Sequence, residues 1–156
     1  MKIAIGNDHA AYEFKLEILK YLDELGVAYE DFGTHSSERA DYPVFAERVA
    51  KKVAAGEYEL GMLFCGTGIG ISISANKVKG IRAAVCTEPF SAKMSRMHNN
   101  ANILCMGARV VGLDLAKMIV DEWLNAEFEG GRHAKRVELI GAIEESQEQD
   151  SYTCKA

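Results

Sequence analysis

Proline is nearly absent from this chain, cysteine is unpaired and no apolar run is long. The two prolines, Pro43 and Pro89, leave no proline-rich linker, and no low-complexity tract or internal repeat divides the 156 residues. One ordinary domain over residues 1-146 is therefore expected, with a polar tail over 147-156. Cys65, Cys86, Cys105 and Cys154 are far apart and form no Cys-x-x-Cys pair, which excludes a zinc framework and a thioredoxin-type site. No stretch approaches the roughly 18 apolar residues of a membrane span, and the opening Met1-Lys2-Ile3-Ala4-Ile5-Gly6-Asn7 is too short in apolar residues for a signal peptide. A cytoplasmic protein with reduced thiols is expected. A basic excess is also lacking: the net charge of -5 argues against a nucleic-acid surface and against binding to an anionic membrane, and leaves room for a local basic site.

What is there is a normal globular balance, 48% hydrophobic and 26% charged, enough to bury a core. Ile3 to Gly6 reads as a strand, followed at once by the polar cluster Asn7-Asp8-His9. From Ala11 the period turns helical, with Phe14, Ile18, Tyr21, Leu22 and Leu25 on one face and Gly26 as its stop. Val27 to Phe32 reads as a second strand. Pro43 suits the first turn of a helix running to about Ala55, buried through Phe45, Val49 and Val53. Leu60 to Phe64 is a third strand, apolar throughout as in a parallel sheet covered on both faces. Ile81 to Cys86 and Ile103 to Gly107 supply two more, which makes Cys86 and Cys105 core residues. Helices are expected from Pro89 to about Met97, through Leu115, Ile119, Val120, Trp123 and Leu124, and from Arg132 to about Glu145. In the last, Val137, Ile140 and Ile143 hold the core register, and the tail from Gln147 is expected to fray. This order predicts an α/β fold, a three-layer α/β/α sandwich that is Rossmann-like with a five-stranded parallel sheet. Such folds bind ligands outside the carboxyl ends of their strands.

The densest chemistry lies at one such end, where Cys65 leads into Gly66-Thr67-Gly68-Ile69-Gly70. Three glycines in five residues let backbone N–H groups approach a ligand closely, and a helix opening at Ile71 would favour both an anion and the thiolate of Cys65. Familiar templates do not fit. The spacing is not Gly-x-Gly-x-x-Gly, no Gly-Lys-Ser/Thr triplet follows, and a cysteine phosphatase loop would need arginine where Ile71 stands. Each candidate also has a plainer reading alone: Cys65 as an inert strand-end thiol, His98 as a helix C-terminal residue favoured by the dipole, and Arg132 with Arg136 as a solvated helix face.

Six segments in order change that balance. They are Gly6-Asn7-Asp8-His9-Ala10-Ala11, Asp41-Tyr42-Pro43, Cys65 to Gly70 with Ser72, Ala75 and Asn76, His98-Asn99, Gly107-Ala108-Arg109-Val110-Val111-Gly112, and Gly130-Gly131-Arg132-His133 with Arg136. Together they resemble the ribose 5-phosphate isomerase B family, the RpiB/LacAB sugar-phosphate isomerases. The resemblance implies an enzyme of the pentose phosphate pathway that interconverts ribose 5-phosphate and ribulose 5-phosphate through an enediolate, with no metal or redox cofactor. It implies Cys65 as the base, Thr67 as the carrier of a proton between two substrate oxygens, and His98 as the ring-opening residue. The N–H groups of Gly66, Gly68, Ile69 and Gly70 would hold the enediolate, Asp8 and Tyr42 the hydroxyls, and Asn99 the reacting end. His9, Arg109, Arg132 and Arg136 would take the phosphate. Part of this set is expected from a partner subunit, so the working form is a homodimer or a tetramer with shared active sites. Two alternatives share the motifs: an isomerase of allose 6-phosphate or galactose 6-phosphate, and a sugar-phosphate sensor without activity.

Overall fold

The computed structural model describes the backbone of residues 2–153 and the side chains of residues 2–147, so Cys154 lies outside the described residues. In chain order the strands are β1 (Lys2–Asn7), β2 (Ala28–Asp31), β3 (Leu60–Cys65), β4 (Ala83–Val85) and β5 (Ile103–Gly107). The helices are α1 (Tyr12–Glu24), α2 (Tyr42–Ala54), α3 (Ile69–Ala75), α4 (Pro89–Asn99), α5 (Leu113–Asn125) and α6 (Arg132–Thr153). The strands form one sheet in the order β2-β1-β3-β5-β4, every pair parallel.

Alternation along the strands explains the continuous apolar run of β3. Met62 and Phe64 point to one face, where they meet Ile18 and Leu22 of α1 and Ile119, Val120 and Trp123 of α5. Leu63 and Cys65 point to the other, against Ala46, Val49 and Val53 of α2 and Ile71 and Ala75 of α3. Helices on both faces leave no room for a polar side chain in this strand. The three described cysteines, Cys65, Cys86 and Cys105, are free and buried. Burial pushes the Cys86 thiol up to about 11 and that of Cys105 well above 9.0, as expected of core thiols.

Helix ends follow local chemistry. The Glu88 carboxylate accepts from the N–H groups of Phe90 and Ser91 at 2.6 and 2.7 Å, and Pro89 occupies the first turn of α4. One polar group has no counterpart in the apolar pattern. Lys15 of α1 is fully buried, and its ammonium pairs with Asp31 at 2.6 Å and the Thr34 carbonyl at 2.7 Å. A buried charge needs such partners, and these tie α1 to the end of β2.

Several boundaries and burials differ from the sequence expectation. β2 and β4 are shorter than 27–32 and 81–86, because each is an edge strand paired on one side only. Leu25 is 44% exposed, since it falls at the C-cap of α1 beyond the packed turns. The last helix runs past Glu145 to Thr153. Val137 is half-buried, whereas Ile140 and Ile143 are exposed rather than in the core, because α6 packs on α4 and a cavity separates these two side chains from Ile81 and Ala83. Among the described residues no helix is long and apolar enough to cross a membrane.

Candidate active site

The chain passes from β1 to β2 on one side and later enters β3 on the other, so β1 and β3 lie side by side at the switch point of the sheet. Their carboxyl ends carry Asp8 and Cys65, and the Asp8 N–H donates to the Phe64 carbonyl at 3.1 Å. Asp8 then caps a single 3-10 turn, His9–Ala11, by accepting from the Ala10 N–H at 3.0 Å. Burial pushes its carboxyl above 3.8, opposed by the Ala10 and Ala11 amides and by the charges of His9 and Arg109. His9 Nδ1 rests on the backbone of Ala40, which fixes its ring against the loop before α2.

Across the switch point, Cys65 Sγ accepts from the Gly68 N–H at 3.1 Å. That contact requires Gly68 to turn with φ +79, a conformation that L side chains rarely adopt. The end of β5 straps the loop from below: Ala108 N–H donates to the Cys65 carbonyl at 2.9 Å and Arg109 N–H to that of Gly66 at 3.0 Å. The Arg109 guanidinium lies over Gly66, 3.5 Å from where a Cβ would stand. Gly70 is pressed against the Tyr42 ring, so a Cβ there would come within 2.6 Å of it. The result is a cavity of about 510 Å³ lined by Asp8, His9, Tyr42, Cys65, Gly66, Thr67, Ile69, Gly70 and Arg109, with Arg39 and Asp41 at its edge. Nearly all of its chemistry is a thiol, a buried acid and positive charge, which suits proton transfer on a small anion.

Five expected site residues do not line this cleft: Gly68 lies behind the loop with its N–H on Cys65 Sγ, and the other four stand apart from it. His98, in the last turn of α4, stacks on His133 with ring centroids 4.1 Å apart. Arg132 Nε donates to His133 Nε2 at 3.3 Å, and Arg136 follows one turn later on α6. Asn99 lines a second cavity of about 540 Å³ with Ser95, Ile140 and Ile143, whose lining contains no cysteine and no histidine.

Residues 3–140 match the ribose/galactose isomerase family. The chain belongs to that family. It is similar to ribose-5-phosphate isomerase B of Escherichia coli strain K12, 60% identical over 144 residues that cover 92% of this chain and 97% of that protein. A relative named D-erythrulose-4-phosphate isomerase, from Pectobacterium atrosepticum, is 46% identical over 145 residues, 92% of this chain and 95% of its own. The solved structure of Clostridium thermocellum ribose-5-phosphate isomerase B aligns with a TM-score of 0.93 at 59% identity, covering 94% of this chain and 99% of that one. The Rossmann-like three-layer sandwich is thus the fold of this ribose/galactose isomerase.

Within this family member the candidate site residues other than Asn99 fall into two groups, a thiol cleft and a histidine-arginine cluster on α4 and α6. Sequence reasoning missed Arg39 in the first and Glu129 in the second. A single charge in a polar loop carries no signal that separates it from a solvated surface. His133 stood inside a motif but received no role.

Proposed function

We propose that this ribose/galactose isomerase interconverts ribose 5-phosphate and ribulose 5-phosphate through a 1,2-enediolate. The observation that carries the reading is the Cys65 thiol, set at the switch point with the Gly68 N–H on its sulfur and Asp8, His9, Thr67 and Arg109 around the same cavity. The Gly68 N–H fixes the position of the sulfur in the wall of this cavity. Cys65 removes the C2 proton of the open-chain aldose and returns a proton to C1. The electron pair passes into the enediolate, whose oxygen is held by the amides of Gly66 and Gly70, while the Gly68 N–H serves the sulfur and the Ile69 N–H the Thr67 hydroxyl. Thr67 moves the hydroxyl proton from O2 to O1. Asp8 and Tyr42 hold the sugar hydroxyls, and His9 and Arg109 begin the phosphate site.

His98, Asn99, Arg132 and Arg136 complete the site from a second copy of the chain. The reading is supported by their position outside the cleft and by the uncovered side chains of Leu139, Ile140 and Ile143 on α6. Exposed Val44, Ile69 and Ile73 offer apolar surface beside the cleft for such a partner. The unit of activity is therefore a homodimer, working in the cytoplasm, where the cysteines stay reduced.

A coupled assay of ribose 5-phosphate conversion tests the whole reading. Cys65→Ala is expected to fall to background while its circular dichroism stays native, and Arg136→Ala to raise KM about tenfold or more. An active Cys65→Ala enzyme would remove the thiol from the chemistry. A higher kcat/KM on allose 6-phosphate than on ribose 5-phosphate would replace the substrate.

A further inference from the structure

The His98 imidazole is held by two side chains that the chemistry above leaves without a role. Its ring lies parallel to that of His133, with the planes within 2°. One oxygen of Glu129 reaches both rings, Oε2 standing 3.7 Å from His98 Nε2 and 3.4 Å from His133 Nε2. The backbone sets this up. The Glu129 N–H donates to the Met97 carbonyl near the end of α4 at 3.0 Å. Gly130 and Gly131, with φ +65 and +53, then turn the chain straight into α6, which brings His133 back over His98. His133 is 5% exposed. Burial, followed by the neighbouring His98, Arg132 and Arg136, holds its imidazole below 6.5 against the pull of Glu129.

His98, Glu129 and His133 have ligand atoms within 4.8 Å of one another, a spread that a divalent cation could span. The stack argues for a proton instead. Lone pairs lie in the ring planes, and two lone pairs in parallel planes cannot point at one ion. Arg132 and Arg136 add positive charge beside the same rings.

We propose that Glu129 and His133 are positioning residues for His98 in the opening of the sugar ring, a role that rests on reading His98 as the ring-opening residue. Opening breaks the bond between C1 and the ring oxygen of the cyclic aldose phosphate. The anomeric hydroxyl loses its proton and becomes the C1 carbonyl, and the ring oxygen gains a proton. His98 has to present one nitrogen in a fixed direction while its own charge changes. The uncharged His133 ring fixes the plane in either charge state, and the Glu129 carboxylate gives the imidazolium a counter-charge at the C-terminal end of α4.

Ribulose 5-phosphate has no ring to open, because its O5 is esterified and its remaining hydroxyls are too close to C2 to close one. The two halves of the reaction can therefore be measured apart in the full-length enzyme. Turnover of ribose 5-phosphate needs both ring opening and isomerisation. Exchange of the C1 proton of ribulose 5-phosphate with D2O, followed by NMR, needs only Cys65 and the enediolate cradle. Glu129→Gln and His133→Ala are expected to slow ribose 5-phosphate turnover about tenfold and to keep C1 exchange within about twofold of the parent. His133→Phe, which restores a flat stacking face, recovers most of the turnover.

Glu129 is 43% exposed, so Glu129→Gln reads the role without disturbing the core. Equal loss of turnover and exchange in that variant, or no loss of turnover in either variant, would end the positioning role. His98→Asn separates this result from the reading beneath it. If His98→Asn loses turnover but keeps exchange while Glu129→Gln and His133→Ala behave as the parent, only the positioning role falls. If His98→Asn turns over ribose 5-phosphate normally, the ring-opening assignment itself is wrong.

Discussion

Asp8 shows what the site costs the fold. Its side chain is buried at the end of β1, and burial outweighs the two amides and two cations that favour its charge, so its carboxyl ionises above 3.8. A carboxyl with a folded pKa above its unfolded value loses stability for the native state once the pH passes the unfolded value, and the full penalty is present above the folded one. Asp8→Asn keeps an oxygen to accept from the Ala10 N–H and removes the penalty. The variant is expected to melt at a higher temperature than the parent at pH 7, and the two melting curves should converge as the pH falls below the ordinary carboxylate range. Activity should fall at the same time, since the proposed hydroxyl-binding group is gone. A lower melting temperature for Asp8→Asn at pH 7 would mean that Arg109 and the amides more than offset the burial. Asp8 and Cys65 were legible because each stands directly after an apolar strand, where a polar group has no packing reason to be. Arg39 and Glu129 were not, because a charge within a polar segment looks the same whether it faces water or a ligand.

The loop after β3 depends on β5 more than on its own sequence. A Cβ on Gly107 would stand 2.5 Å from the backbone carbon of Thr67, a contact that only a backbone shift can relieve. Gly107→Ala is therefore expected to push the Cys65–Gly70 loop outward and to lower kcat/KM by about a hundredfold, because displacement of about 1 Å at reacting groups carries such a penalty. Gly112→Ala is the control: nothing lies within 4 Å of its Cβ position, and its activity should match the parent. Comparable activity for the two variants would mean that the loop tolerates movement. The three glycines of the loop were visible in the sequence, but the need for Gly107 arises from a strand 40 residues beyond Thr67, which the sheet order β3-β5 makes a neighbour of the loop. The paired strands and most helices were legible from periodicity. Edge strands were read too long, because apolar pattern continues where hydrogen-bond partners do not. Ile140 and Ile143 were read into the core for a related reason. Helical spacing states that a face is apolar, not which surface covers it.

That uncovered face and the divided site lead to one expectation for the assembled molecule. The thiol cleft lies at the ends of β1 and β3, and the histidine-arginine cluster lies on α4 and α6, outside the cleft's lining. If a second copy supplies the cluster, Cys65→Ala and His98→Asn damage different halves of each composite site. Each variant alone is inactive. In a hybrid dimer, one site carries both lesions and the other carries neither. Equal mixing with free subunit exchange makes about half of the dimers hybrids with one intact site of two, so about a quarter of parental activity should return. The assay is run on the two purified variants before and after mixing, with differently tagged chains to measure the hybrid fraction. Recovery in proportion to that fraction is the signature of a site shared between protomers. Hybrids that form in full and stay inactive would place His98 and Cys65 in the same protomer's chemistry, and would require the α4 end to move toward the cleft during turnover.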